Sequence, residues 1–210
     1  MGIRAFADSR EPQRVRPWAR YGSWQMGLAS EGKAVLNTAP NSTAAQPWRN
    51  RSYWAALLLG MATMSAIDEI VFHQILAWHH FYDRATPDIA LVSDGVLHAA
   101  ELFAFIAGFF LMLDARRRSS FWAAAAWAGF LVGLGLFQLW DGIVDHKLLR
   151  LHQIRYEVEL LPYDIAWNAA GVLLLLAGLV WTTALARRGR RADSTAPAVA
   201  DPLTPADRGQ

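Results

Sequence analysis

The chain has 210 residues, is 54% apolar and carries a formal net charge of +2. It contains no cysteine, which excludes disulfides, thiolate metal sites and iron–sulfur clusters. Its arginines cluster beside apolar segments and the terminal segments show no nucleic-acid-binding motif, so the positive charge predicts no nucleic-acid partner.

In chain order, a polar segment comes first, and four long apolar runs follow it. Residues 1–52 are rich in Pro, Ala, Ser and Arg and lack periodicity, which predicts a disordered cytoplasmic N-terminal tail. The apolar runs each hold more than 20 residues and cover 53–76, 90–113, 121–144 and 163–185. About 20 helical residues cross the hydrocarbon core of a bilayer, and in lipid the backbone must bond to itself. We therefore predict an all-α integral membrane domain of four transmembrane helices over 53–186. The lipid bilayer is an expected partner of this domain. A second disordered cytoplasmic tail is predicted for 187–210.

Lysine and arginine are distributed unequally between the two sides of these helices. Nine lie just before the first helix, between the second and third, and just after the fourth, whereas the other two loops hold four. Because positive residues stay on the cytoplasmic side, we expect both termini to be cytoplasmic. The expected location is the plasma membrane.

The sequence also repeats itself. Residues 54–79 align without gaps on 127–152 at an offset of 73, and ten of the 26 pairs are identical. The identical pairs include Asp68/Asp141, His73/His146 and His79/His152. In the second helix of each half, Asp94 matches Asp164 and His98 matches Asn168 at an offset of 70. The repeat predicts two tandem helical hairpins, 53–113 and 121–186, related by a pseudo-twofold axis.

Ionisable side chains are costly inside a bilayer, so their presence in the same layer of all four helices predicts a functional site. The central candidates are the imidazoles of His73, His98 and His146. Four aspartates are candidate ligands or orienting partners: Asp68, Asp94, Asp141 and Asp164. Glu69 and Glu101 come next, and His79 and His152 are expected to close the mouth of the site or to complete the coordination.

Helical geometry limits which of these residues can meet. On a straight α-helix His73 lies ~140° from Asp68, so a ligand trio from one helix is not expected. Either His73 faces the bundle while His79 folds back from the loop, or Asp68 orients a histidine of a neighbouring helix. Asp94, His98 and Glu101 are expected to form one stripe. The apolar spacing of the loop after the third helix predicts an amphipathic helical cap over the site.

Four functions are compatible with this pattern. Imidazole and carboxylate ligands suit iron, zinc or copper(II), which predicts a transition-metal site. Haem is a variant, with His73 and His146 or His98 as axial ligands. A proton relay or transport component uses similar residues, although the other halves of the helices are almost purely apolar. The last alternative is a structural polar network without a cofactor. The residues leave open whether the protein is an enzyme.

The segments "DEIVFHQILAWHH", "SDGVLHAAE" and "LWDGIVDHKLLRLHQIR" resemble a bacterial family of predicted four-helix membrane proteins of unknown function. The resemblance covers about residues 53–186 and implies a protein of the bacterial plasma (inner) membrane without an established activity. It also suggests a respiratory oxidase or its assembly factors as partners. The expected role is then metal handling for respiratory complexes or a metal-dependent redox step. The wide polar layer makes a homodimer an expectation as well.

Overall fold

A computed structural model describes residues 46–195. Within this range the chain is helical and contains no β-strand. A short 3-10 turn at Pro47–Arg49 precedes helix α1 at Arg51–Ile67, which continues as a π-helix, π1, at Asp68–Ile75. The remaining helices are α2 at Pro87–Arg117, α3 at Ala123–Leu139 with its π-helical continuation π2 at Trp140–Leu148, and α4 at Leu160–Thr195.

Four of the described segments are long and apolar enough to cross a membrane. They are Arg51–Ile75, Pro87–Arg117, Ala123–Leu148 and Leu160–Ala192. This confirms the predicted all-α class with four transmembrane helices.

The predicted tails fall largely outside the described residues. Residues 1–45 and 196–210 are not among them, so disorder there stays a prediction. Helix α4 continues past the predicted boundary at 186 to Thr195. Alanine and arginine, which favour helix, are frequent in this stretch, and the first proline follows only at position 197.

Helices α1 and α3 form the centre of the bundle, with α2 packed on α1 and α4 on α3. Glycines let the central pair approach closely. A Cβ at Gly60 would overlap the carbonyl oxygen of Phe130, and a Cβ at Gly133 would overlap that of Leu57. Small residues permit such backbone contact between membrane helices. The two contacts are reciprocal at an offset of 73, while the internal repeat itself stays a prediction.

Two residues after the end of each π-helix the backbone is left-handed, at Ala77 with φ 47° and at Arg150 with φ 52°. Beyond these residues, Trp78 N donates to Phe72 O and Leu151 N donates to Asp145 O, both at 2.9 Å. The reversal turns each loop back over the bundle. We call the end that carries the loops 76–86 and 149–159 the loop end.

The expected helical cap after the third helix is wrong. Residues 150–159 lie across the loop end, but they contain no helix. Positive φ values at Arg150 and Glu157 interrupt any regular helix. Two carbonyl groups of the segment bind the other loop instead, since Leu151 O accepts from Asp83 N at 3.1 Å and Ile154 O contacts the His79 ring.

Candidate metal centre

The loop end encloses a cluster of eight imidazole and carboxylate side chains, each at most 4% exposed. Its members, which we call the histidine–carboxylate cluster, are Asp68, Glu69, His73, His79, Asp94, Asp141, His146 and His152. Buried charged groups are stable only when they are paired, hydrogen-bonded or bound to a metal. The contacts of each group therefore decide what the cluster can do.

The π-helices place one aspartate beside one histidine in each half. Asp68 Oδ2 lies 3.5 Å from His73 Nε2, and Asp141 Oδ2 lies 3.2 Å from His146 Nε2. Residues i and i+5 come onto one face because a π-helix bonds i to i+5. The expectation that Asp68 and His73 diverge was therefore wrong, since it assumed 3.6 residues per turn.

His73 also lies against two further carboxylates. Its Nδ1 is 2.7 Å from Glu69 Oε2 and 3.3 Å from Asp94 Oδ1. Neither ring nitrogen of His73 nor Glu69 Oε2 makes a hydrogen bond of good geometry within the described residues. The other Glu69 oxygen, Oε1, accepts from Gln74 Nε2 at 2.8 Å, which holds the carboxylate in place.

His79 and His152 each lie in one of the two loops and contact the backbone of the other loop. The rings of His79 and His152 stack with centroids 4.5 Å apart and planes 4° apart. Nδ1 of His79 lies 2.9 Å from Ile154 O, and Nδ1 of His152 lies 2.9 Å from Phe81 O. A carbonyl oxygen only accepts, so Nδ1 carries the hydrogen in both rings and each Nε2 keeps its lone pair when the ring is neutral. Such a hydrogen bond also fixes the tautomer of histidines that bind metals.

The protonation of these two rings differs. Burial, and then the neighbouring histidines, lower the pKa of His79 to about 2, so this ring is neutral at physiological pH. Burial also acts to lower the pKa of His152, but the Asp141 carboxylate overcomes it, and the pKa of His152 is raised. In the metal-free protein His152 therefore binds a proton before His79 does.

All four buried imidazoles are close neighbours. Ring centroids lie 4.5 Å apart for His73 and His79 and 4.6 Å apart for His146 and His152. Nε2 of all four rings is buried without a hydrogen bond in the described part of the chain. Three groups of residues each place one ligand atom per residue within 4.8 Å of the others: His73, His79 and His152; Asp141, His146 and His152; and Glu69, His73 and Asp94. The spacing and burial of these groups are compatible with a bound metal ion.

The family described as "Predicted membrane protein (DUF2243)" matches residues 55–185. The chain belongs to this family. The match covers α2, α3 and both loops in full and most of α1 and α4, and it confirms the family expected from the sequence motifs. Comparison with curated proteins finds no match, and neither does comparison with solved structures.

Three of the candidate residues lie outside the histidine–carboxylate cluster of this DUF2243 chain. The side chain of His98 is 53% exposed, with its Nδ1 3.2 Å from Glu101 Oε2. Glu101 is buried one turn further along α2, where its Oε1 accepts from Ser65 Oγ at 3.0 Å. Among the described helices, α2 packs only on α1 and its continuation π1, so its buried stripe is narrow and includes Asp94 and Glu101 but not His98. The single stripe expected for these three residues is therefore not observed.

Asp164, the fourth candidate aspartate, pairs with a lysine instead of a histidine. Asp164 Oδ2 lies 2.6 Å from Lys147 Nζ, and its side chain belongs to none of the three groups. Asp94, its partner in the alignment, lies beside His73 instead. The two halves of the site are consequently unequal in their carboxylates.

Sequence reasoning missed one supporting residue. His80 Nδ1 lies 2.6 Å from Asp94 Oδ2, while Asp94 Oδ1 accepts from Phe81 N at 2.8 Å. These contacts orient the Asp94 carboxylate towards His73. The only sequence signal for His80 is that it follows His79, and a histidine at the end of a membrane helix is otherwise an ordinary rim residue.

Proposed function

We propose that the protein is a membrane metalloprotein that binds a transition-metal ion in the histidine–carboxylate cluster. One observation carries the proposal: four imidazoles have a buried Nε2 without a hydrogen-bond partner in the described residues. An unsatisfied buried polar atom costs about 1–3 kcal/mol, and metal coordination by these imidazoles would remove that cost. Nitrogen and oxygen ligands without sulfur suit iron, zinc or copper(II).

The burial of the cluster bears on the role of the ion. Each of the eight side chains is at most 4% exposed, and both loops cover them. An ion that is delivered to a partner must exchange ligands at an accessible surface, whereas an enclosed ion stays resident. Of the two expected roles, burial favours a metal-dependent redox step over metal handling.

The close packing of the rings favours a metal ion over haem. Two axial histidines must lie on opposite faces of the macrocycle, but His79 and His152 stack directly on one another. The ring of His73 lies 4.5 Å from that of His79, and the ring of His146 lies 4.6 Å from that of His152, by centroid. Both separations are too short for a macrocycle between the two rings.

Elemental analysis of the full chain, purified in a mild detergent, tests the proposal. We expect a stoichiometric transition metal in the native protein and in His98→Ala, and a reduced metal content in His146→Ala. His98→Ala is the matched control, since the same change is made at an exposed histidine outside the cluster. Helical circular dichroism shows whether each variant folds. A metal content at background in folded native protein would refute the proposal.

Two further measurements separate the alternatives. A Soret band in the native protein would replace the metal ion by haem. A proton flux in liposomes that disappears in Asp68→Asn, without bound metal, would favour a proton relay. Copurification with a respiratory oxidase or its assembly factors tests the expected partners, which rest on the family resemblance alone.

A further inference from the structure

We infer that the histidine–carboxylate cluster holds two metal ions in two adjacent ligand sets. The inference rests on the proposed function and adds a second ion to it. Of the three possible ligand groups, two share no residue: Glu69, His73 and Asp94 form one, and Asp141, His146 and His152 form the other. We call them the first set and the second set.

The number of donors exceeds what one ion can use. Eight buried imidazole and carboxylate side chains form the cluster, whereas a transition-metal ion in a protein takes about four to six ligand atoms. Two ions can use all eight residues at ordinary coordination numbers. Four-helix bundles are known to hold paired metal ions with carboxylate and histidine ligands from facing helices.

The charge of the cluster also favours two bound cations over one. It contains four carboxylates, Asp68, Glu69, Asp94 and Asp141, and their ion-pair partners within residues 46–195 are histidines alone. With neutral imidazoles the cluster carries four negative charges, and buried charges of this kind must be compensated. One divalent ion would leave two charges uncompensated, but two divalent ions neutralise all four.

His79 lies between the two sets. Its ring is 4.5 Å by centroid from His73 of the first set and 4.5 Å from His152 of the second. The same three histidines form the third ligand group, which overlaps both sets. His79 is therefore placed to complete the coordination of either ion, and the two ions would be close neighbours.

The two sets differ in chemistry. The first contains one imidazole and two carboxylates, and Asp68 adds a third carboxylate beside His73. The second contains two imidazoles and one carboxylate. Oxygen-rich sets suit manganese, whereas imidazole-rich sets suit iron, copper and zinc. We therefore expect unequal affinities for a metal that is offered to both.

Titration of chelator-treated full chain with Co²⁺ in mild detergent tests the inference, with bound cobalt counted by elemental analysis after desalting. We expect two cobalt ions per native chain, and one in each of Asp94→Asn and His146→Ala. The visible spectra of the two variants should differ because a different set is retained in each. The double variant should bind none. Asp88→Asn, at an exposed position of the same helix as Asp94, and His98→Ala are the matched controls and should bind two.

The outcomes separate the inference from the proposed function. One cobalt per native chain would overturn the second ion and leave the metalloprotein intact. No cobalt in natively helical protein would overturn both. Loss of both ions in each single variant, with helical circular dichroism retained, would also overturn the two-set assignment, since the sets would not bind independently.

Discussion

The contact between α1 and α3 at Gly133 helps to position the histidine–carboxylate cluster, because π1 and π2, which carry five of its residues, continue these two helices. A Cβ at Gly133 would overlap Leu57 O and lie 2.9 Å from both Leu57 C and Met61 N. Ordinary van der Waals contact of a Cβ begins at 3.4 Å. Backbone atoms, unlike a side chain, cannot rotate away. Gly133→Ala must therefore push the two helices apart by roughly 0.5 Å or more in a close-packed interior.

The expected magnitude follows from two opposing effects. Overpacking costs about 1–3 kcal/mol, and a backbone clash belongs at the upper end. Alanine regains about 1 kcal/mol of helix propensity relative to glycine. Gly95→Ala is the matched control, since a Cβ there meets nothing within 4 Å. Because both variants gain the same helix propensity, the difference in their free energies of unfolding measures the cost of the clash alone, which we expect to be about 3 kcal/mol.

Thermal unfolding in detergent, followed by circular dichroism, measures this difference. We expect Gly133→Ala to unfold at a lower temperature than the native protein and to bind less metal, and Gly95→Ala to match or exceed the native protein in both. Equal stability and metal content in the two variants would show that the α1–α3 contact does not position the cluster.

Three further predictions concern the loops and the ligands. Ala77 has φ 47°, so Ala77→Gly should raise the unfolding temperature by relieving up to about 1 kcal/mol of backbone strain, whereas Ala77→Val should lower it; the reverse order would contradict the left-handed backbone. Bound metal should dissociate on acidification, because imidazoles bind metal only when neutral. Equilibrium dialysis between pH 8 and pH 5 should show a falling metal affinity, because protons compete with the metal at His152, whose pKa is raised. A metal affinity that stays constant over that range would argue against imidazole ligands. Arg155 donates from Nη1 to Tyr163 Oη at 2.7 Å and lies over the Trp78 ring. Arg155→Ala should therefore speed hydrogen exchange in the loop 149–159, and unchanged exchange would mean that this contact does not anchor the loop.

Hydrophobicity alone predicted the membrane architecture, because apolar runs of this length leave the backbone no alternative to helix. The burial of Asp68, His73, Asp141 and His146 was also predictable, since ionisable groups avoid lipid. The repeat in the sequence pointed to the same residues. The structure brings them together at one end of the bundle.

The local geometry of the site was not predictable in the same way. A π-helix has no clear sequence signal. Because a regular α-helix was assumed, Asp68 and His73 were expected to lie on different faces, whereas their side chains lie side by side. Exposure of His98 depends on how few helices pack on α2, which the sequence of α2 does not encode. The amphipathic spacing of the loop after π2 predicted a helix, but its carbonyl groups bond to the other loop. For His98 and for the loop, tertiary packing decided the outcome rather than the local pattern.

X-ray absorption at the edge of the bound metal tests the central claim most directly, because it reports the ligands themselves. We expect a first shell of nitrogen and oxygen at about 2.0–2.2 Å, as is usual for imidazole and carboxylate ligands, with outer-shell scattering from several imidazole rings. That imidazole scattering should weaken in His146→Ala and persist in His98→Ala. A metal without imidazole scattering, or with the same spectrum in both variants, would show that the buried histidines are not its ligands.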